Sequence, residues 1–183
     1  MSDSKSPKPV SVLFVCLGNI CRSTMAEGVF QSLTTNPPHP LISAIDSCGT
    51  GAYHLGSSPD SRTMATLRKN GITSYRHSAR KFSPSSDFEK FDYILAMDDE
   101  NLADLEALRE RELKKAGVDE ESVGRVMLFG EFGGKMRKGR RGEKGEEIDD
   151  PYYGGDDGFR IAYEQCVKFG KEFLERLERG ELS

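Results

Sequence analysis

A cysteine and an arginine lie close together directly after the first apolar run of the chain, residues 10–15. Five residues separate Cys16 from Arg22. A strand that ends in a short loop before a helix directs backbone N–H groups, and the positive end of the helix dipole, at one place. The planar guanidinium of Arg22 can hold two oxygens of an oxyanion there, above the Cys16 thiol. The spacing predicts a phosphate-binding loop made of Cys16, Leu17, Gly18, Asn19, Ile20, Cys21, Arg22 and Ser23.

A second candidate for chemistry lies late in the chain, where Asp149 and Asp150 precede Pro151. An Asp before a proline is by itself typical of a turn. Beside a bound phosphate ester, a carboxylic acid could also donate a proton to the departing oxygen. On the residues alone, either aspartate could supply that proton.

Both segments resemble those of the low-molecular-weight protein tyrosine phosphatases. Residues 16–23 resemble the signature loop of that family, residues 150–154 resemble its acid loop, and further similarity extends from about residue 10 to 179. The resemblance implies hydrolysis of phosphotyrosine in proteins, and of small aryl phosphates, with release of inorganic phosphate. It implies that Cys16 forms a phosphocysteine, that Arg22 holds the phosphate oxygens, and that Asp150, next to the proline, is the acid. We expect neither a metal nor a cofactor.

The resemblance also implies supporting polar residues around the loop. Asn19 resembles a residue that holds the loop in a left-handed backbone conformation, which Asn tolerates better than most residues. Ser23 can donate to the Cys16 sulfur, although it could also cap the following helix. Ser47 and His77 match the network partners of Asn19. Without the resemblance, His77 would be interpreted as an ordinary histidine.

Four residues are expected at the rim of the phosphate pocket. Tyr53, Tyr152 and Tyr153 could flank a phosphorylated ring, which favours phosphotyrosine over the shorter phosphoserine. Each tyrosine could instead only pack on the surface. Related arginine phosphatases carry Thr at the position of Ile20, so Ile20 indicates the tyrosine-specific form. A phosphatase for small phosphate esters or phosphoarginine would keep the same catalytic residues, and that alternative stays open.

The four cysteines favour reduced thiols in an intracellular protein. They form no close Cys-x-x-Cys pair and the three histidines are scattered, which argues against a zinc site. In the family that the loop resembles, a cysteine at the position of Cys21 can form a reversible disulfide with the nucleophile, here Cys16. Cys21 could instead be only a small buried residue. Cys48 and Cys166 are expected to pack in the core.

Strands alternate with helices along the chain, which predicts a parallel sheet covered on both faces. A helix is expected to open at Ser58-Pro59 and to end at Gly71, with Met64, Ala65 and Leu67 on its buried face. These elements predict a three-layer, doubly wound α/β domain, and the resemblance implies a four-stranded parallel sheet flanked by helices. The other predicted strands and helices cover residues 10–15, 41–47, 91–97 and 123–129, and residues 23–33, 99–115 and 156–179.

The length of 183 residues fits one domain. We expect a disordered lead-in at residues 1–9 and a single phosphatase domain at residues 10–183. The lead-in lacks the apolar core of a signal peptide, and no apolar run approaches the roughly 20 residues that span a bilayer. We therefore expect a cytoplasmic monomer without a membrane span or a nucleic-acid partner.

A Gly-rich basic insertion interrupts the pattern at about residues 130–147. From Gly130 to Gly145 there are six basic and two acidic residues, a net charge of +4 in a chain whose net charge is −4. A solvated flexible loop is the favoured interpretation. The segment could instead lie at the mouth of the site and attract acidic phosphopeptides or an anionic membrane surface.

Two other function classes share parts of this pattern. An arsenate reductase on the same fold needs further redox cysteines close together late in the chain, where only Cys166 is present. A non-enzymatic phosphotyrosine-binding module would be expected to lack Cys16, Arg22 or Asp150. All three residues are present, so the sequence favours an enzyme.

Overall fold

The four predicted strands form one parallel sheet. The computed structural model describes residues 7–134, 145–155 and 157–182. Across the sheet the strand order is β2-β1-β3-β4, and every neighbouring pair is parallel. The predicted sheet is therefore confirmed, with strands β1 (Val10–Cys16), β2 (Ile42–Gly49), β3 (Tyr93–Ala96) and β4 (Arg125–Leu128).

Helices cover both faces of the sheet, which confirms the three-layer, doubly wound arrangement. The first, second and fifth helices contact one another on one face, and the third and fourth pack on the other face. Short 3₁₀ turns lie at Glu120–Ser122, Phe129–Gly133 and Pro151–Tyr153. The helices are α1 (Arg22–Thr35), α2 (Ser61–Lys69), α3 (Pro84–Lys90), α4 (Asp99–Leu113) and α5 (Gly158–Glu178).

The core lies on both sides of β1. Phe14 points to the face covered by α1 and α5, where its ring centre lies 5.4 Å from that of Phe30 and 5.1 Å from that of Phe129. Leu13 and Val15 point to the opposite face and pack in a second apolar cluster. The apolar stripe of α5 is buried as predicted and includes Phe159, Ala162, Cys166, Phe169 and Phe173.

Two predictions for α2 were wrong. The helix begins after Asp60 rather than at Ser58, because the Asp60 carboxylate accepts the Arg62 N–H at 2.8 Å and caps the first turn. Ala65 is exposed, whereas Thr63 is buried and its hydroxyl donates to a backbone carbonyl. A buried hydroxyl that donates to a buried acceptor can lie in the core. Thr63 therefore occupies the buried position that the apolar pattern predicted for Ala65.

The sequence analysis missed α3, whose residues are largely polar and show no helical apolar repeat. Its start nevertheless carries a helix signal, since Pro84 is the first helical residue after Ser83. Cys48 and Cys166 are buried, as predicted.

Parts of two predicted segments, residues 1–6 and 135–144, lie outside the described residues. The described ends of the basic insertion meet, because the Glu146 N–H donates to the Gly130 carbonyl at 3.1 Å. Among the residues that the structure describes, no helix has the length and apolar character needed to cross a membrane.

The strand order places the candidate site. From β1 the chain runs to β2 on one side and then crosses to β3 on the other side of β1. In such a sheet a crevice opens beyond the carboxyl ends of the two strands at which the order reverses. Cys16 ends β1 and Asp98 follows β3, so both lie at this crevice.

Candidate active site

The loop between β1 and α1 encloses the sulfur of Cys16. The Asn19 N–H and the Ser23 hydroxyl lie 3.2 Å and 3.1 Å from that sulfur. Ser23 Oγ accepts a hydrogen bond from Asn19 Nδ2, which leaves the hydroxyl hydrogen of Ser23 available to the Cys16 sulfur. Asn19 has a φ of 57°, a left-handed conformation that lets the loop turn its N–H inward. These two donors suit a sulfur that carries negative charge.

The Asn19 side chain connects this loop to neighbouring elements. Its Oδ1 accepts the backbone N–H of Arg80 at 3.0 Å, which fixes the orientation of the amide. Its Nδ2 donates to Ser23 Oγ at 2.8 Å and to Ser47 Oγ at 3.0 Å, and its Oδ1 also accepts from His77 Nε2 at 2.8 Å. The structure thus brings together the residues that the resemblance assigned to a network. Ser23 lies inside α1 and does not cap that helix.

A buried carboxylate that the sequence analysis missed lies behind this network. Glu27 Oε1 accepts from Ser47 Oγ at 2.8 Å and from the Tyr75 hydroxyl at 2.6 Å, and it lies 3.3 Å from His77 Nδ1. Burial raises the pKa of Glu27 to about 7 and lowers the pKa of His77. Glu27 follows Ser23 by one helical turn, so the two side chains share a helix face. This spacing could have indicated that Glu27 lies near the loop.

The His77 ring lies between Asn19 and Glu27. His77 Nε2 carries a hydrogen, because it donates to the Asn19 carbonyl oxygen. The other ring nitrogen then faces the Glu27 carboxyl group, and that contact is favourable only when the pair holds a proton between them. The His77 ring therefore connects Asn19 of the loop to the buried carboxyl group of Glu27.

The Arg22 guanidinium is buried and faces the same cavity. Its Nη1 donates to Asp98 at 2.5 Å and to the Ile148 carbonyl at 3.1 Å. Burial alone would lower the pKa of Arg22, but the nearby charge of Cys16 and the contacts with Asp98 outweigh it, so the pKa is raised. The sequence analysis missed Asp98. Its position directly after a strand that neighbours β1 was the available signal.

The Asp-Pro segment faces the loop across the cavity. Pro151–Tyr153 forms one 3₁₀ turn, which Asp150 Oδ1 caps by accepting the Tyr152 N–H at 3.0 Å. The other oxygen, Oδ2, lies 3.9 Å from Arg22 Nη2, and the Asp150 side chain is 38% exposed. Asp150 lines the cavity, whereas Asp149 is not among the residues that line it. Asp150 is thus the aspartate placed to reach a ligand.

One cavity of about 350 Å³ joins these groups. The rim residues expected from the sequence all line it, and Tyr53 and Tyr153 are largely exposed there. The sequence analysis did not identify His54 as a residue of this cavity. The His54 ring lies so close to the loop that a Cβ atom on Gly18 would be 3.0 Å from it. The lining residues are Cys16, Leu17, Gly18, Ile20, Cys21, Arg22, Tyr53, His54, Asp150, Tyr152 and Tyr153.

The two cysteines of the loop are both free and buried. Burial raises the pKa of the Cys21 thiol to about 12, so this thiol is protonated at neutral pH. A protonated buried thiol resists direct oxidation. Cys21 is therefore not the thiol that we expect to be oxidised first.

One group of potential metal ligands occurs among the described residues, and it belongs to the network behind the loop. Ligand atoms of Glu27, Asp46 and His77 lie within 4.8 Å of one another. Glu27 and His77 already make hydrogen bonds to Tyr75, to Ser47 and to the loop. Their arrangement is that of a hydrogen-bonded support for the loop.

Comparisons with known proteins agree with this geometry. Residues 11–182 match the family model of the low molecular weight phosphotyrosine protein phosphatases. A low molecular weight phosphotyrosine protein phosphatase of Schizosaccharomyces pombe is 46% identical over 171 residues, which cover 93% of this chain and 98% of the relative.

Solved structures are similar over most of the chain. A protein tyrosine phosphatase from Entamoeba histolytica is 33% identical, with a TM-score of 0.75 over 94% of this chain and 99% of the other. A drosophila arginine phosphatase is also 33% identical, with a TM-score of 0.73 over 90% of this chain and 96% of the other. The chain therefore belongs to the low molecular weight phosphotyrosine protein phosphatases, a family of cysteine-based phosphatases.

Proposed function

We propose that Cys16, Arg22 and Asp150 hydrolyse phosphotyrosine in proteins, and small aryl phosphates, through a phosphocysteine intermediate. The observation that carries this proposal is that a nucleophile, a fixed cation and a partly exposed carboxyl group line the same cavity. Together they can supply the attacking atom, the charge that the phosphate oxygens need and the proton for the leaving group.

In the first step the Cys16 thiolate attacks phosphorus in line with the bond to the phenolic oxygen. A sulfur–phosphorus bond forms and the phosphorus–oxygen bond breaks, while Arg22 and the loop amides hold the other three oxygens. Asp150, in its protonated form, gives its proton to the departing oxygen, so the product leaves as a neutral phenol.

In the second step Asp150 accepts a proton from a water molecule that attacks phosphorus. A new oxygen–phosphorus bond forms, the sulfur–phosphorus bond breaks, and inorganic phosphate leaves. The Ser23 hydroxyl lies 3.1 Å from the sulfur and stabilises the thiolate as it departs. Asn19 and its partners hold the loop in the conformation that both steps use.

Phosphotyrosine is the substrate that the rim supports best. Tyr53 and Tyr152 provide aromatic surface beside the cavity, against which a phosphorylated ring can pack. Ile20 adds an apolar contact at the same edge. We propose phosphotyrosine-containing proteins as substrates of a cytoplasmic monomer.

Phosphoarginine is the second candidate, because a solved relative is named as an arginine phosphatase. Its phosphorus–nitrogen bond could be attacked by the same thiolate and its leaving nitrogen protonated by the same acid. The two candidate substrates can be distinguished by comparing kcat/KM for a phosphotyrosine peptide with kcat/KM for a phosphoarginine peptide. We expect the phosphotyrosine peptide to be preferred.

The decisive experiment is hydrolysis of p-nitrophenyl phosphate in chelator and reductant, with Cys16→Ser as the control. We expect turnover in the native chain and none in the variant, which should still bind inorganic phosphate. No turnover in the native chain, or equal turnover in the variant, would overturn the proposal.

A further inference from the structure

Arg62 is an exposed residue of α2 whose side chain has a defined position. Its Nε and Nη2 both donate to the Asp60 carboxylate, each at 3.0 Å. An exposed ion pair contributes little to the free energy of unfolding. This ion pair matters because it fixes the orientation of the Arg62 side chain. The two parallel bonds fix the plane of the guanidinium and leave its face and Nη1 available to other partners.

Those other partners belong to the segment that carries the proposed acid. The Arg62 Cζ lies 5.1 Å from the centre of the Tyr152 ring and 4.7 Å from the centre of the Phe159 ring, both within cation–π range. Its Nη1 also donates to the Tyr152 carbonyl at 3.4 Å. One guanidinium therefore contacts both the ring and the backbone of the residue after Pro151.

The other end of this chain of contacts is the phosphate loop. The Asp60 N–H donates to the Ile20 carbonyl at 2.8 Å. The Asp60 side chain is only 11% exposed and also caps α2, so it is a fixed partner for Arg62. Ile20, Asp60, Arg62 and Tyr152 thus connect the loop that follows Cys16 to the turn that follows Asp150.

Tyr152 in turn orients the Asp150 carboxyl group, because its N–H donates to Oδ1. We propose that Arg62 is a positioning residue for proton transfer: by holding Tyr152, it sets the direction in which the Asp150 carboxyl group presents its proton. Attack at phosphorus does not depend on this contact, since Cys16 and Arg22 are held by other partners. The inference rests on the proposed role of Asp150 as the acid.

The test is the dependence of kcat/KM on the leaving group. A phenol of low acidity, as in phenyl phosphate, needs a proton to depart, whereas a strongly acidic phenol, as in 2,4-dinitrophenyl phosphate, leaves as an anion. For Arg62→Ala we expect kcat/KM to fall about tenfold with phenyl phosphate and less than about twofold with 2,4-dinitrophenyl phosphate, as for partial loss of general acid catalysis. Inhibition by inorganic phosphate should not change.

Two matched variants complete the design. Arg62→Lys keeps the charge but lacks the planar fork, and it should lie between the native chain and Arg62→Ala with phenyl phosphate. Arg68→Ala removes a cation from the exposed face of the same helix and should behave as the native chain with both substrates.

A comparison with Asp150→Asn separates the two proposals. Suppose that Asp150→Asn loses more activity with phenyl phosphate than with 2,4-dinitrophenyl phosphate. If Arg62→Ala then loses activity equally with both substrates, or loses none, the positioning role of Arg62 is wrong and the role of Asp150 as the acid is retained. If Asp150→Asn itself shows no leaving-group dependence, the acid assignment fails and the positioning role fails with it.

Discussion

The Tyr75 hydroxyl donates a hydrogen bond of 2.6 Å to the buried carboxyl group of Glu27. The two residues lie 48 positions apart, and neither lines the cavity. Through Ser47 and Asn19, the same carboxyl group is connected to the loop that holds the Cys16 sulfur. The hydrogen bonds that hold the proposed nucleophile therefore extend to residues behind the cavity.

We expect Tyr75→Phe to lower the free energy of unfolding by about 1.5–3 kcal/mol, the usual value of a hydrogen bond to a charged group. Losing a donor should also raise the pKa of Glu27 further, because that hydrogen bond partly offsets the effect of burial. Denaturant unfolding at neutral pH measures the loss. Tyr163→Phe on α5 is the control, and an equal loss there would contradict a specific role for Tyr75.

Glu27 should make stability depend on pH. Burial raises its pKa from 4.5 to about 7, so the folded state binds more protons than the unfolded state between these values. Stability must then fall as pH rises through this window, by up to about 3 kcal/mol in total. Glu27→Gln removes the titration, and the stability of the native chain relative to this variant should decrease from pH 4.5 to pH 7. A difference that is constant over this range would show that Glu27 does not titrate there.

Asp98→Asn should weaken phosphate binding and stability together. Arg22 is 4% exposed and would lose its charged partner at 2.5 Å, which leaves a buried cation less well compensated. We expect a loss of about 1–3 kcal/mol in unfolding free energy and a higher inhibition constant for inorganic phosphate. Isothermal titration with phosphate and denaturant unfolding measure the two effects. Unchanged phosphate affinity would mean that Ile148 and the loop alone orient the guanidinium.

Cys21→Ser tests the reversible disulfide between Cys16 and Cys21 that the family resemblance predicts. Peroxide first oxidises Cys16 to a sulfenic acid, and the Cys21 thiol can condense with it, forming a disulfide and releasing water. In the native chain we expect activity to return after treatment with dithiothreitol. In Cys21→Ser, the sulfenic acid should proceed to irreversible forms, and little activity should return. Equal recovery in the two proteins would exclude the disulfide as the protecting species.

Much of the fold followed from local patterns. Short apolar runs predicted all four strands, and the apolar stripe from Phe159 to Phe173 predicted the buried face of α5. The errors occurred where local pattern was weak. α3 is too short and polar to show a repeat, and the start of α2 depended on which of several polar residues captured an N–H group.

The sequence by itself predicted the candidate reacting groups, because Cys16 and Arg22 belong to one short loop whose spacing sets their geometry. Only the tertiary structure decided what surrounds them. Asp98 lies 76 positions from Arg22, and Tyr152 lies 90 positions from Arg62. Such partners meet because parallel strands end at one edge of the sheet and helices pack over it. No local sequence pattern predicts these contacts, because they depend on how the whole chain buries its apolar surface.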